Sequence, residues 1–210
     1  MKRTELLVGL VIGLSTLSWA MSQSSEMTLK PGTSFYQRLT ADPSSPVLGN
    51  PHGGVTVVEF FDYRCPYCRS MAPELRTLLS QDSDVRLVLK EWPILSEGSR
   101  AAARVAIAAN WQGKYGAVHE ALLRAPRTLE EPQIRAAAGE AGVDLPQLDR
   151  DLRDRAADID RILGNVEAEA QALGIRGTPV LIVGTEVNVG ALSLDDLKAQ
   201  IAAQRKAHAP

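Results

Sequence analysis

The stretch Glu59–Leu75, EFFDYRCPYCRSMAPEL, contains both cysteines of the 210-residue chain. Cys65 and Cys68 follow a run of β-branched and aromatic residues, Val55–Asp62, which predicts a buried strand. From Pro66 to Ser80 the apolar residues recur at helical spacing. The two thiols are therefore expected at the turn where a strand passes into a helix.

This position predicts a reactive pair of thiols. A thiol attacks as the thiolate, and the unpaired N–H groups and the dipole at a helix N-terminus stabilise a negative charge on Cys65. Pro66, at the first helical position, costs no hydrogen bond there. Cys68 lies one turn later and can attack a mixed disulfide formed on Cys65. The pair is expected to cycle between dithiol and disulfide.

A structural disulfide and a zinc site are the alternative roles for the cysteine pair, and both stay open. A purely structural disulfide between Cys65 and Cys68 would close a very short loop and would restrict the unfolded chain little. A structural zinc ion needs four ligands, and the three histidines, His52, His119 and His208, are scattered along the chain. Both roles are disfavoured, and we expect no metal and no cofactor.

The sequence on either side of the pair predicts further strands and helices. Residues 21–54, rich in Pro, Gly, Ser and Asn, are interpreted as a leader with a short helix around Phe35–Leu39. Val85–Glu91 alternates like a second strand. The Ala-rich residues 98–174 predict four or five helices. Two short β runs then form a hairpin, and Leu194–Gln204 forms an amphipathic helix.

The first twenty residues predict a secretory signal peptide. Lys2 and Arg3 precede a short apolar run, Leu6–Leu17, which is followed by the small residues Ser18 and Ala20. The run is shorter than the roughly 20 residues of a membrane-spanning helix. Cleavage after Ala20 and a periplasmic location are expected, with an uncleaved anchor as the alternative.

The charge balance excludes some classes of partner. The formal net charge is −2, from 23 basic and 25 acidic residues. Such a balance argues against nucleic acid or an anionic membrane surface as the main partner. With 45% hydrophobic and 23% charged residues, the composition is that of an ordinary globular protein.

Two motifs make the chain similar to a known family. FFDYRCPYCRSMAPEL and the later GIRGTPVLIVG, separated by the helical block, resemble the DsbA-like thiol-disulfide oxidoreductases of the thioredoxin superfamily. The resemblance covers about Val47–Gln204 and implies an α/β, thioredoxin-like fold with an inserted helical subdomain. The expected organisation is a signal peptide (1–20), a leader (21–54), the first part of the thioredoxin-like domain (55–97), the helical insertion (98–174) and the second part of the domain (175–210).

The resemblance also implies a role for the Gly-Thr-Pro run. Pro179 is expected to be cis and to face the cysteines, and an ordinary trans turn proline is the alternative. In the family the backbone beside this proline pairs with an extended client peptide. Thr178 is therefore a predicted substrate-binding residue, together with Pro66 and Tyr67 between the cysteines.

Glu59 is the charged residue of the first strand. Its position, six residues before Cys65, matches a family acid that lies beneath the pair and can relay the proton of Cys68. Lys90, on the second strand, could pair with it. The alternative is that Glu59 and Lys90 are exposed on the strand faces. Predicted rim residues around the thiols are Tyr63, Arg64, Tyr67, Trp92 and Pro93, although Trp92 could equally belong to the core.

The direction of exchange depends on how far the reduced form is stabilised. Strongly oxidising family members carry Pro-His between the cysteines, where this chain has Pro66-Tyr67; Arg64 and Arg69 could compensate. The leading hypothesis is a monomeric donor of disulfides to unfolded or partly folded exported proteins, recycled by a membrane redox partner. The alternatives are an isomerase or reductase kept reduced by a membrane partner, and a peptide-binding chaperone. The leader is too short for the extra dimerisation domain of dedicated isomerases, which favours the donor.

Overall fold

A five-stranded mixed sheet forms the centre of the fold. The computed structural model describes residues 29–207, so the predicted signal peptide lies outside the described residues. The sheet order is β1-β3-β2-β4-β5. Strands β2 and β3 are parallel, whereas β1, β4 and β5 each run antiparallel to a neighbour. The strands are β1 (Val47–Gly49), β2 (Val55–Phe61), β3 (Val85–Glu91), β4 (Val180–Val183) and β5 (Glu186–Val189).

Eight helices are present in the described part of the chain. The predicted block at residues 98–174 contains five of them, and the short helix predicted in the leader is present as the first. The leader also contributes the edge strand β1 to the sheet. The helices are α1 (Ser34–Ala41), α2 (Pro66–Gln81), α3 (Glu97–Asn110), α4 (Tyr115–Arg124), α5 (Glu131–Glu140), α6 (Leu145–Asp154), α7 (Ala156–Ala172) and α8 (Leu194–Ala207).

The two faces of the sheet are covered by different helices. Because side chains alternate along a strand, Val57 and Phe61 of β2 share a core with α2, α8 and most of the helical block, whereas Val58 and Phe60 share a core with α1 and the C-terminal half of α7. Both faces are buried, which explains why β2 is a nearly continuous apolar run. Glu59, on the same face as Val57, therefore points toward α2 and not toward solvent.

The elements after the helical block also match the predictions. Strands β4 and β5 form the expected hairpin, in which Gly184 has a positive φ of 61° that suits its turn position. Helix α8 returns over the sheet and packs on the face that carries α2. Within residues 29–207, no helix combines the length and the apolar character needed to cross a membrane.

Candidate active site

The two cysteines lie at the N-terminus of α2, as predicted. Cys65 is the N-cap residue; its N–H donates to the carbonyl of Asp62 at 3.0 Å, and its carbonyl accepts from the N–H of Arg69 at 3.1 Å. Pro66 occupies the first turn of the helix. Cys65 is 4% exposed and Cys68 is 2% exposed, so both cysteines are buried.

The Gly-Thr-Pro run lies against the first cysteine. The Sγ–H of Cys65 donates to the carbonyl oxygen of Thr178 at 3.2 Å. The Thr178–Pro179 peptide bond is cis, as the resemblance implied. Pro179 is buried, and its carbonyl accepts from the N–H of Gly190 at 2.9 Å. The structure thus brings together the two motifs that carry the family resemblance.

Asp62 fixes the turn that carries Cys65. Its side chain is buried and accepts from the N–H of Arg64 at 2.7 Å, the N–H of Leu95 at 2.9 Å and the hydroxyl of Ser99 at 2.7 Å. These donors belong to the turn, the loop after β3 and the start of α3. One carboxyl group therefore joins the thiols to the helical block.

Glu59 is buried in the central strand, which excludes the exposed alternative. Burial raises its pKa to about 8. The pKa of the Cys68 thiol is also raised, first by burial and then by the charge of Glu59. Glu59 therefore keeps its proton near neutral pH, and the Cys68 thiol resists ionisation. This pairing suits proton transfer between the two groups.

Lys90 does not pair with Glu59, and that prediction is wrong. In the register of β2 and β3, Glu59 is paired with Leu89 while Lys90 is paired with Phe60. Lys90 therefore points to the opposite face of the sheet. There its Nζ lies 3.0 Å from Oε2 of Glu169 on α7.

Tyr63 is buried and does not belong to the rim, contrary to the prediction. Its hydroxyl donates to Oε1 of Glu91 at 2.9 Å and lies 3.2 Å from Nδ1 of His119. Tyr115 also donates to Oε1 of Glu91, at 2.7 Å. The rings of Phe61, Tyr63 and His119 pack edge to face. The turn before Cys65 is therefore packed against α4.

The remaining predicted rim residues have different environments. Tyr67 is 64% exposed, and Pro66 beside it is exposed as well. Trp92 belongs to the core, where its Nε1 donates to Glu167 at 2.7 Å. Arg64 and Pro93 are half-buried. The rim around the thiols thus includes the predicted substrate-binding pair Pro66 and Tyr67.

The flanking arginines bind backbone carbonyls. Arg64 donates through Nε to the carbonyl of Arg127 at 2.8 Å. Arg69 donates to the carbonyls of Tyr63 at 3.0 Å and Leu122 at 3.4 Å, and to that of Ala125. Both guanidinium groups therefore tie the active-site turn to the helical block.

Three contributors to this site were not among the residues predicted from the sequence: Asp62, Glu91 and the exposed Leu95. Asp62 immediately follows β2 and Glu91 ends β3, and these strands are parallel neighbours. The C-terminal ends of parallel neighbours lie side by side at one edge of a sheet, so the two acids could have been recognised from that rule. Leu95 carried no comparable signal.

The family model for the DSBA-like thioredoxin domain matches residues 56–202. The chain belongs to this family. The dithiol beside the cis proline is its candidate active site. The expected fold, a thioredoxin-like sheet interrupted by a helical subdomain, is the one observed.

Solved structures of DsbA-like and related thioredoxin-like proteins share this fold. A thioredoxin-like oxidoreductase from Silicibacter pomeroyi DSS-3 is 45% identical, with a TM-score of 0.77 over 81% of this chain and 97% of that chain. A periplasmic thioredoxin-like protein from Salmonella enterica serovar Typhimurium is 30% identical, with a TM-score of 0.73 over 81% and 95% of the two chains.

The curated relatives are of two kinds. The Na(+)/H(+) antiporter NhaA 1 of Salinispora arenicola is 30% identical over 157 residues, which are 74% of this chain and 24% of the antiporter. The chain thus spans about a quarter of the length of the antiporters it matches. Disulfide bond formation protein D of Bacillus subtilis is 26% identical over 172 residues, which are 77% of each chain.

Proposed function

We propose that this DsbA-like protein is an exported, monomeric donor of disulfides to folding proteins. The observation that carries the proposal is the hydrogen bond from Cys65 to the carbonyl of Thr178, because it places the reactive sulfur beside the backbone with which an extended client would pair. The name of the Bacillus relative, a disulfide bond formation protein, supports the same direction of transfer. Light scattering of the purified protein tests the monomeric state.

The reaction begins with the disulfide form of the pair. A client thiolate attacks the sulfur of Cys65, the bond between the two cysteines breaks, and Cys68 leaves as a thiolate that takes up a proton. A second client thiolate then attacks the client sulfur of the mixed disulfide, and Cys65 leaves as a thiolate. The client gains a disulfide and the protein is left as the dithiol.

The helix N-terminus and Glu59 assist different steps. The thiolate of Cys65 is stabilised by the unpaired N–H groups at the start of α2, which makes it a good leaving group. Cys68 is buried and close to an acid, so it is a poor leaving group unless its sulfur takes up a proton as it leaves. Glu59, whose pKa is raised to about 8 by burial, carries a proton at neutral pH and can supply it.

The surface around the thiols suits apolar, unfolded clients. Four large apolar side chains are exposed within residues 29–207, and each belongs to a segment that borders the site. Tyr67 lies between the cysteines, and the N–H of Leu95 donates to Asp62 in the turn. Val189 precedes Gly190, which binds the carbonyl of Pro179. The four residues are Tyr67, Ile94, Leu95 and Val189.

Export and recycling complete the proposal. The signal-like residues 1–20 and the periplasmic Salmonella neighbour support a periplasmic location. Each turnover leaves the protein reduced, so a membrane-bound oxidant must accept two electrons from the dithiol to restore the disulfide. Mass spectrometry of the protein from the periplasmic fraction would show whether the mature chain begins at Met21.

The test combines a reduction potential with client assays. The potential is measured by equilibration with glutathione, and activity is measured as oxidation of a reduced model protein and as rescue of a scrambled one. We expect a potential well above that of thioredoxin, about −270 mV, and efficient oxidation that Cys65→Ser abolishes. Cys68→Ala should also abolish oxidation and should trap mixed disulfides with clients.

Two outcomes would replace the donor by another function. A potential as low as that of thioredoxin, with rescue of the scrambled substrate and a mostly reduced pair in cells, would identify an isomerase or reductase. If the wild type oxidised nothing while both cysteine variants still suppressed aggregation fully, a peptide-binding chaperone would be the better description.

A further inference from the structure

A second buried acid lies on the same face of the sheet as Glu59. Glu91, the last residue of β3, is as deeply buried as Glu59. The register pairs Glu59 with Leu89 and Phe61 with Glu91, so the two acids are diagonal neighbours on parallel strands. From the spacing of strands and the rise per residue, their Cα atoms are about 8 Å apart.

Hydrogen bonds favour the ionised form of Glu91. Its Oε1 accepts from the hydroxyls of Tyr63 at 2.9 Å and Tyr115 at 2.7 Å, and such bonds to a carboxylate are stronger than bonds between neutral groups. His119 supplies no positive charge at neutral pH, because burial lowers its pKa to about 3. When Glu91 ionises, its charge is therefore stabilised by the two tyrosine hydroxyls and is not cancelled by a cation.

The titratable groups around the two acids are thus mostly acidic or neutral. They come from the active-site turn, α2 and α4. Lys90, the cation on the neighbouring position of β3, points to the other face and is paired with Glu169. The facing groups are Cys65, Cys68, Asp62, Tyr63, Tyr115 and His119.

We propose that Glu91 is a positioning residue of the exchange reaction, held beside Glu59 by Tyr63 and Tyr115 so that the charge of Glu91, once it forms, opposes loss of the proton from Glu59. The proposal rests on the role of Glu59 proposed above. The charge of each acid opposes ionisation of the other.

The pKa shifts of the two acids agree with a coupling between their charges. The pKa of Glu91 is raised to about 8, mainly by burial, and the charges of Asp62 and Glu59 add to it. The pKa of Glu59 is raised to about the same value by burial. The two acids therefore titrate over the same pH range as a coupled pair, and removing one charge should ease ionisation of the other.

The test follows the reaction of the reduced full-length protein with the aromatic disulfide DTNB. In the first phase the thiolate of Cys65 attacks the reagent and releases one thionitrobenzoate. In the second phase Cys68 gives its proton to Glu59 and attacks the sulfur of Cys65, which forms the protein disulfide and releases the second thionitrobenzoate. The rate of the second phase should therefore rise with pH as Glu59 ionises.

The decisive variant is Glu91→Gln, which keeps an acceptor for both tyrosine hydroxyls and removes the charge. We expect the pH midpoint of the second phase to shift down by about one unit, the size expected for two charges at this separation in a protein. Tyr115→Phe should shift the midpoint in the same direction by less, because the lost hydrogen bond favours the neutral form of Glu91. It also provides a second test if Glu91→Gln does not fold.

The matched control is Glu167→Gln, which removes a carboxylate from the opposite face of the sheet and keeps an acceptor for Trp92. It should leave the midpoint unchanged. An unchanged midpoint in both Glu91→Gln and Tyr115→Phe would overturn the proposal, and so would an equal shift in Glu167→Gln. Glu59→Gln separates the two proposals: if it fails to slow the second phase, the role of Glu59 is wrong, whatever Glu91 does.

Discussion

The sulfur of Cys65 and the carbonyl oxygen of Thr178 lie 3.2 Å apart, although 113 positions separate the two residues in the chain. The contact joins the N-terminus of α2 to the loop that leads into β4. Cys65 is therefore held between a helix end that stabilises its thiolate and a backbone segment suited to pairing with a client. Cys68 lies behind it, in contact with the core.

This difference between the sulfurs predicts selective alkylation. At neutral pH iodoacetamide should modify Cys65 and spare Cys68, because burial and the charge of Glu59 raise the pKa of the Cys68 thiol. Peptide mapping after a short pulse measures the selectivity. Cys68→Ala should keep the wild-type alkylation rate, whereas Cys65→Ser should lower it by roughly two orders of magnitude. Equal labelling of both thiols in the native protein would contradict the assignment of Cys65 as nucleophile.

Replacing the buried acid should change how stability depends on pH. The folded-state pKa of Glu59 is raised from about 4.5 to about 8, so the folded state resists losing a proton that the unfolded chain gives up. Glu59 therefore leaves the free energy of unfolding unchanged below about pH 4.5 and lowers it as the pH rises toward 8. Glu59→Gln should therefore stabilise the protein on the order of 2–4 kcal/mol at pH 8 and little at pH 4.

Urea unfolding of the reduced wild type and Glu59→Gln at both pH values measures the effect. The difference between the two proteins removes the contribution of His119, which is common to both and weakens the fold as the pH falls below its ordinary range. A stabilisation that does not grow between pH 4 and pH 8 would show that Glu59 is not held in its neutral form by burial.

Much of this site could be predicted because its signals are local. The cysteine pair after a β run and before a helical period places the thiols at a helix N-terminus, and Gly177-Thr178-Pro179 opens a strand. These two motifs suffice for the family and the fold. The five helices between them follow from their period and from the glycines and prolines that end them.

The failed predictions concern which face of the sheet a side chain occupies. Strands β2 and β3 are apolar on both faces, so their sequences do not reveal the face of any one residue. Whether Lys90 shares a face with Glu59 depends on the register, and a shift of one residue reverses the answer. Tyr63 was assigned to the rim for a related reason: its partners Glu91 and His119 lie 28 and 56 positions away and meet it only after α4 packs on the turn.

The buried ion pair on the far face should contribute to stability and not to catalysis. Lys90 is fully buried, and its Nζ contacts Glu169 and the carbonyl of Arg38, both at 3.0 Å. Lys90→Met would leave a buried carboxylate unpaired and should destabilise the protein by about 3–5 kcal/mol. The double variant Lys90→Met/Glu169→Leu should recover most of that loss. Both folded variants should keep the wild-type rate of DTNB reduction, and a slower rate in the double variant would link this pair to the active site.

Tyr67 offers the clearest separation of client binding from thiol chemistry. Its ring is 64% exposed between the two cysteines, so the fold depends little on it. Tyr67→Ser should raise KM for a reduced, unfolded protein by about tenfold, the effect of losing one exposed aromatic contact of about 1.4 kcal/mol. The rate with glutathione disulfide, which is too small to reach the surrounding apolar side chains, should change little. Leu95→Ser, on the other side of the site, should show the same division between large and small substrates. If both variants lost activity equally toward protein and glutathione, the apolar rim would be acting on the dithiol itself and not on the client.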